Sequence, residues 1–130
     1  MFTIEQIKQV HSKVKSGADF PNYVKEMKGL GILFYAHYVS DGHIKYQGAN
    51  NFAISADAKW ETRHIASEGD VARLKHFLSI HQDGQTGYPT FCKQAAVAGV
   101  EKWVVDMIEM TCIYYDIKGN ELVVEQIPIV

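Results

Sequence analysis

Phe20-Pro21-Asn22-Tyr23-Val24-Lys25 and Tyr88-Pro89-Thr90-Phe91-Cys92-Lys93 share one pattern at a separation of 68 residues. The same shift lays Gly31-Ile32 on Gly99-Val100 and Tyr35 on Trp103. Over the 16 positions from Phe20 to Tyr35 it gives three identities, three aromatic-for-aromatic matches and one Ile/Val match. Any two helix–strand units can share a proline start and a glycine stop, so the aromatic matches carry the case for duplication. The preceding segments align after a one-residue gap, with Ile4 on Val71, Ile7 on Leu74, Val10 on Phe77 and Gly17 on Gly84. A period this long implies two similar lobes, not a solenoid.

Each copy reads as two helices followed by strands. Thr3-Ile4-Glu5-Gln6 is a capping box ahead of Ile4, Ile7, Val10 and Val14 at helical spacing, and Ser16-Gly17-Ala18 is the expected stop. Asp19 is the expected cap of a second helix whose first turn holds Phe20-Pro21, where proline's missing N–H costs nothing. Residues 32–39 are β-rich, Ser40-Asp41-Gly42-His43 is a hairpin signal suited to a type I′ turn, and residues 43–48 return. A short strand is expected over residues 52–55, and residues 56–66 read as a connector carrying Trp60. In the second copy Ser67-Glu68-Gly69-Asp70 opens a helix with Val71, Leu74, Phe77, Leu78 and His81 inward. Tyr88-Pro89 opens the next helix, and strands follow over 100–106, 111–116 and 121–127. The expected fold is α+β: one domain of two αα-βββ units, about 3–55 and 67–127, whose strands form one antiparallel sheet or two facing ones packed against four helices.

With 130 residues the chain can bury about two-thirds of the surface it would expose unfolded. A hydrophobic fraction of 47% with 22% charged residues suits a globular domain. The net charge of −2 and the scattered lysines offer nothing to nucleic acid or an anionic membrane. No basic-then-apolar leader opens the sequence and no stretch approaches 18 apolar residues, so cytoplasmic residence is the expectation. Cys92 and Cys112 form neither a C-x-x-C pair nor a disulfide framework.

The runs Ser16-Gly17-Ala18-Asp19-Phe20-Pro21, Asp41-Gly42-His43 and His81-Gln82-Asp83-Gly84-Gln85-Thr86 form a recognisable set. Tyr88-Pro89-Thr90-Phe91-Cys92, the run from Ala98 to Asp106, Met110-Thr111-Cys112 and Tyr114-Tyr115-Asp116 complete it. Together they resemble a family of small bacterial and prophage proteins of unknown function, some labelled "phage envelope protein". The resemblance spans nearly the whole chain and implies no activity, cofactor or catalytic residue.

Histidine is the side chain best suited to chemistry here, with six copies. The repeat sorts them: His11 stands where the second copy has Leu78, His81 where the first has Val14, and His37 where the second has Val105. Such departures mark where one lobe acquires a role; equally, a histidine at the core edge can satisfy one nitrogen with water or a carbonyl. His76 and His81 lie about 140° apart on a helix, no zinc spacing appears, and no metal or other cofactor is expected. Cys92 follows a proline near a helix start, where a thiol pKa can fall. Its counterpart Val24 points instead to packing.

In residues 32–39 both faces are apolar, with Phe34, Ala36 and Tyr38 opposite Leu33, Tyr35, His37 and Val39. A second subunit or the 56–66 connector is the expected cover for the Phe34 face, ahead of a ligand. Two functions follow as expectations. One is a non-enzymatic binding or interaction protein, a homodimer through Phe34 and Tyr38. The other is a small cofactorless or metal-assisted enzyme using His37 and His81, with His11, Tyr35 and Trp103 lining a cleft for a small molecule. A phage structural role is a weaker third.

Overall fold

The structure, a computed structural model, describes residues 1–15 and 17–130. The chain folds as α1 (Ile4–His11), α2 (Phe20–Gly29), β1 (Ile32–Tyr38), β2 (Ile44–Gly48), β3 (Ala53–Ala56), α3 (Val71–Gln82), α4 (Tyr88–Val97), β4 (Lys102–Asp106), β5 (Thr111–Tyr115) and β6 (Glu121–Gln126). Helix, helix and three strands thus occur twice in the same order. The six strands make one antiparallel sheet in the order β3-β2-β1-β4-β5-β6, so the halves meet where β1 pairs with β4. This is the α+β class that the sequence implies.

Local chemistry explains most boundaries. Thr3 and Gln6 form the capping box, Gln6 N–H donating to Thr3 Oγ1 at 3.2 Å and Thr3 N–H to Gln6 Oε1 at 2.8 Å. The helix ends sooner than its apolar spacing suggests, because Ser12 Oγ donates to the Gln9 carbonyl at 2.6 Å and competes with the helical ladder. Val14 therefore lies beyond α1, and of the expected stop, Ser16 falls outside the described residues. Asp19 does not cap α2 through its side chain; its Oδ2 accepts from the Lys15 backbone N–H at 2.8 Å, tying the preceding turn. Asp70 does cap α3, accepting from Arg73 N–H at 3.0 Å.

All four helices pack on one sheet face. Strand alternation puts Tyr35, His37, Trp103, Val105, Cys112 and Tyr114 on that face, where all are buried. Val71, expected inward, is 39% exposed, because α3 begins there and its core contacts start one turn later at Leu74. The opposite face carries Phe34, Ala36, Tyr38, Lys102 and Val104 without a covering helix, and Phe34 is 37% exposed.

Two expectations about the β1–β2 end need correction. A type I′ turn needs positive φ at both central residues, yet only Gly42 has it (φ 77°). Asp41 is held otherwise, its Oδ1 accepting from His43 N–H at 3.0 Å in an Asx turn. Nor does the connector cover the Phe34 face. Lys59 N–H and Trp60 N–H donate to the Asp41 carbonyl at 2.7 and 3.2 Å, and Arg63 N–H to the Ser40 carbonyl at 2.8 Å. These bonds strap the connector over the turn and set the Trp60 ring on the helix side, 6.5 Å from the His37 ring.

Both α2 and α4 pass into strands through a glycine with positive φ, Gly31 (99°) and Gly99 (83°). At Gly99 the motif is closed by Gly99 N–H on the Ala96 carbonyl at 3.2 Å and Val100 N–H on the Ala95 carbonyl at 2.9 Å. The surroundings differ. A Cβ on Gly31 would meet nothing within 4 Å, whereas one on Gly99 would stand 2.4 Å from the Glu68 carbonyl oxygen. Gly31→Ala should cost about 1–2 kcal/mol, the left-handed strain alone. Gly99→Ala should cost roughly 3 kcal/mol or more, because backbone must also move. Urea titration of the two variants measures the difference; equal losses would show that the 68–69 backbone yields freely.

Candidate functional site

Between α1–α2 on one side, α3–α4 on the other and the sheet below lies a cavity of about 470 Å³. That size falls within the range of small-molecule sites. Its lining includes His11, Tyr35, His37, His81 and Trp103, so the three histidines singled out by comparing the two halves share one cavity. Their aliphatic counterparts follow suit on the helices. α1 and the turn after it supply His11 and Val14, and α3 supplies Leu78 and His81, all four lining the cavity. At these matched positions each wall thus offers one histidine and one aliphatic residue, in opposite order along the chain.

The floor is aromatic. The His37 ring stacks on Trp103 with centroids 4.0 Å apart and planes at 10°, Trp103 meets Phe91 at 5.6 Å, and Phe91 stacks on His81 at 4.7 Å. His37 and His81 are therefore joined through two aromatic rings and do not act as a contacting pair. Tyr35 lies 5.6 Å from Tyr46 and 6.5 Å from Tyr23. The sequence signal for Tyr35 and Trp103 is simple: both are inward positions on the two central strands.

Hydrogen bonding assigns the histidines different characters. His37 is 2% exposed; its Nε2 bonds the Tyr88 hydroxyl, while Nδ1 is buried without a hydrogen-bond partner among the described residues. Burial, assisted by the nearby charge of Lys59, depresses its pKa to about 3, so the ring is neutral at physiological pH. His81 Nδ1 donates to the Thr86 carbonyl at 3.0 Å, which places a proton on Nδ1. That carbonyl is held by the α3–α4 turn, where Gln85 N–H donates to Ile80 at 2.9 Å. His11, at the end of α1, is lowered by packing and then by Lys59.

Several lining residues escape sequence reasoning. Tyr88 reads as a helix opener, yet it meets both His37 and His11, the latter with centroids 6.4 Å apart. Lys59 belongs to the unreadable connector, and its Nζ donates to the Gly42 carbonyl at 2.8 Å. Glu125 shares the inward face of β6 with Val123 and accepts from Tyr114 Oη at 3.3 Å and Gln82 Nε2 at 2.9 Å. Cys92 is fully buried beneath Tyr88 on the same helix, and burial pushes its thiol up to about 11, unlike a reactive thiolate. Among the described residues no three His, Cys, Asp or Glu side chains gather as a metal ion would need, and no helix is long and apolar enough to cross a membrane.

Phe34 and Tyr38 lie on the other face of the sheet, away from the cavity. Tyr38 stacks on His43 at 4.3 Å, and His43 Nδ1 sits 2.6 Å from Asp41 Oδ1. That explains His43, the one residue of the hairpin signal that the turn alone leaves without a reason.

Burying a neutral His37 has a pH signature. The unfolded ring takes a proton near 6.5 and the folded one only near 3, so the unfolded state binds more protons in between. His37's contribution is complete above pH 6.5 and is lost as pH falls towards 3. Stability should fall by on the order of a few kcal/mol between pH 7 and pH 4. His37→Leu should flatten that limb in urea titrations at pH 7, 6, 5 and 4. Parallel pH dependences for the two proteins would assign the acid sensitivity elsewhere.

Comparison with known proteins adds kinship without chemistry. The chain is 21% identical over 119 residues to the uncharacterized protein YcgX of Escherichia coli (strain K12), covering 92% of this chain and 89% of that protein. Residues 8–126 match the family model described as "Protein of unknown function (DUF1398)". Neither description carries the envelope label that the sequence resemblance suggests. Spanning nearly all of the fold, the match makes this chain a member of the DUF1398 family.

Proposed function

We propose that the chain is a binding protein for a small, largely apolar organic molecule held in the cavity between its two helical pairs. The observation that carries this reading is the convergence of His11, His37 and His81 with Tyr35 and Trp103 on one cavity of about 470 Å³. A lining rich in apolar and aromatic side chains with a few fixed polar groups is the usual composition of a ligand site. Binding is favoured over catalysis because His37 is engaged by Tyr88 and titrates near 3, far from the neutral pKa that a general base requires. The enzyme alternative draws on His81, which lines the same cavity with its Nδ1 donating to the Thr86 carbonyl.

A neutral aromatic probe, 2-naphthamide, should quench Trp103 fluorescence and raise the melting temperature. At 100 times its Kd the gain is about 2.7 kcal/mol, worth several degrees for a domain of this size. Val14→Trp, which fills the cavity from its α1 side, should weaken binding in calorimetry about tenfold or more. Absence of binding, or binding indifferent to Val14→Trp, would remove the cavity from consideration.

A homodimer through the outer sheet face is a second reading. It draws on the 37% exposure of Phe34 and 49% exposure of Val124. Sedimentation equilibrium at micromolar concentration should then give a dimer that Phe34→Lys dissociates; a monomer throughout would reject it.

A further inference from the structure

The cavity's charges are not balanced. Lys8, Lys15 and Lys59 line it, whereas among the described residues Glu125 supplies the only carboxylate in the lining, and both its oxygens are already engaged by Tyr114 and Gln82. The ion pairs among the described residues are Lys13–Glu26, His43–Asp41 and Lys118–Glu68, so neither Lys8 nor Lys59 has an anionic partner. Lys59 Nζ donates to a neutral acceptor, the Gly42 carbonyl at 2.8 Å. Lys8 stands close enough to depress it further once part-burial has lowered its pKa. Lys59 in turn disfavours protonation of His11 and His37. Asp41 attracts Lys59 from a distance, yet its carboxylate is committed to His43. One side of an apolar cavity thus holds two exposed cations, Lys8 and Lys59, with no carboxylate at ion-pair distance from either among the described residues.

Resting on the cavity reading above, we propose that the ligand is an organic carboxylate: a planar apolar body on Tyr35, Tyr46 and Trp103, with its single negative charge beside Lys8 and Lys59. The aromatic floor accepts the body through stacking and area burial. A carboxylate at the rim relieves the repulsion and gains charge-assisted hydrogen bonds from ammonium groups that remain partly solvated. A cationic ligand would add to the repulsion, and a neutral one would leave it unrelieved.

A matched series tests this: 2-naphthoate, 2-naphthamide and 2-naphthylmethylamine, titrated by calorimetry against the full chain. The carboxylate should bind about tenfold tighter than the amide and the amine most weakly. Lys8→Gln and Lys59→Gln, singly and together, should bring the carboxylate towards the amide's affinity while leaving the amide unchanged. Melting temperatures of both variants check that the fold persists. Raising the salt concentration should weaken the carboxylate more than the amide. If amide and carboxylate bind equally, or the carboxylate's advantage survives the double substitution, the charge assignment is overturned and the cavity reading stands. If none of the three binds, the cavity reading falls and takes this inference with it.

Discussion

The antiparallel pairing of β1 with β4 is the contact on which the molecule turns. It joins two αα-βββ halves edge to edge and sets His37 opposite Trp103 and Tyr35 opposite Val105. Sheet geometry then points all four side chains to the same face, and both helical pairs must pack over that face. Because each pair sits over its own three strands, the seam between the halves lies beneath the line where the pairs meet. The cavity occupies that line. A slip of one residue in this register would turn one strand over against the other, so that His37 and Trp103 no longer shared a face.

The side chains that fill the seam carry an energetic tension. An aliphatic residue at position 37, like Val105 opposite Tyr35, would bury cleanly. Histidine brings one nitrogen that finds Tyr88 and one that finds no partner among the described residues, and an orphaned buried polar atom costs on the order of 1–3 kcal/mol. Stacking on Trp103 offsets part of that cost. The aromatic chain from His37 to His81 packs the floor ring against ring, whereas the lysines stand exposed at its rim.

Much of this was legible in the sequence, and the reasons are physical. Helix stops and strand alternation are local, so Gly31, Gly99 and the inward positions of β1 and β4 could be read from residue type. The three histidines stood out because each had an aliphatic counterpart to be measured against. Lys59 and Trp60 gave no such signal. Their segment has no periodicity and is ordered by backbone bonds to the β1–β2 turn, a partner that sequence spacing does not reveal. Tyr88 was visible only as a helix start, since its hydroxyl's role depends on how α4 lies across the sheet. The turn at Asp41-Gly42 misled for a related reason: the Asx bond to His43 replaces the backbone geometry that the dipeptide usually signals.

The strand order has a temporal side as well. During synthesis β1, β2 and β3 can pair as soon as residue 56 has emerged, because each needs only a sequence neighbour. The other edge of β1 waits until Lys102 is made, exposing apolar Phe34, Tyr35 and Ala36 to any strand that passes. Among the described residues the seam is thus the one sheet pairing between strands that do not follow each other in the chain, and pairings so distant carry the larger loop-closure cost. A nascent first half is a half-sheet in search of a partner, and the correct partner must reach it before another copy of the same half does.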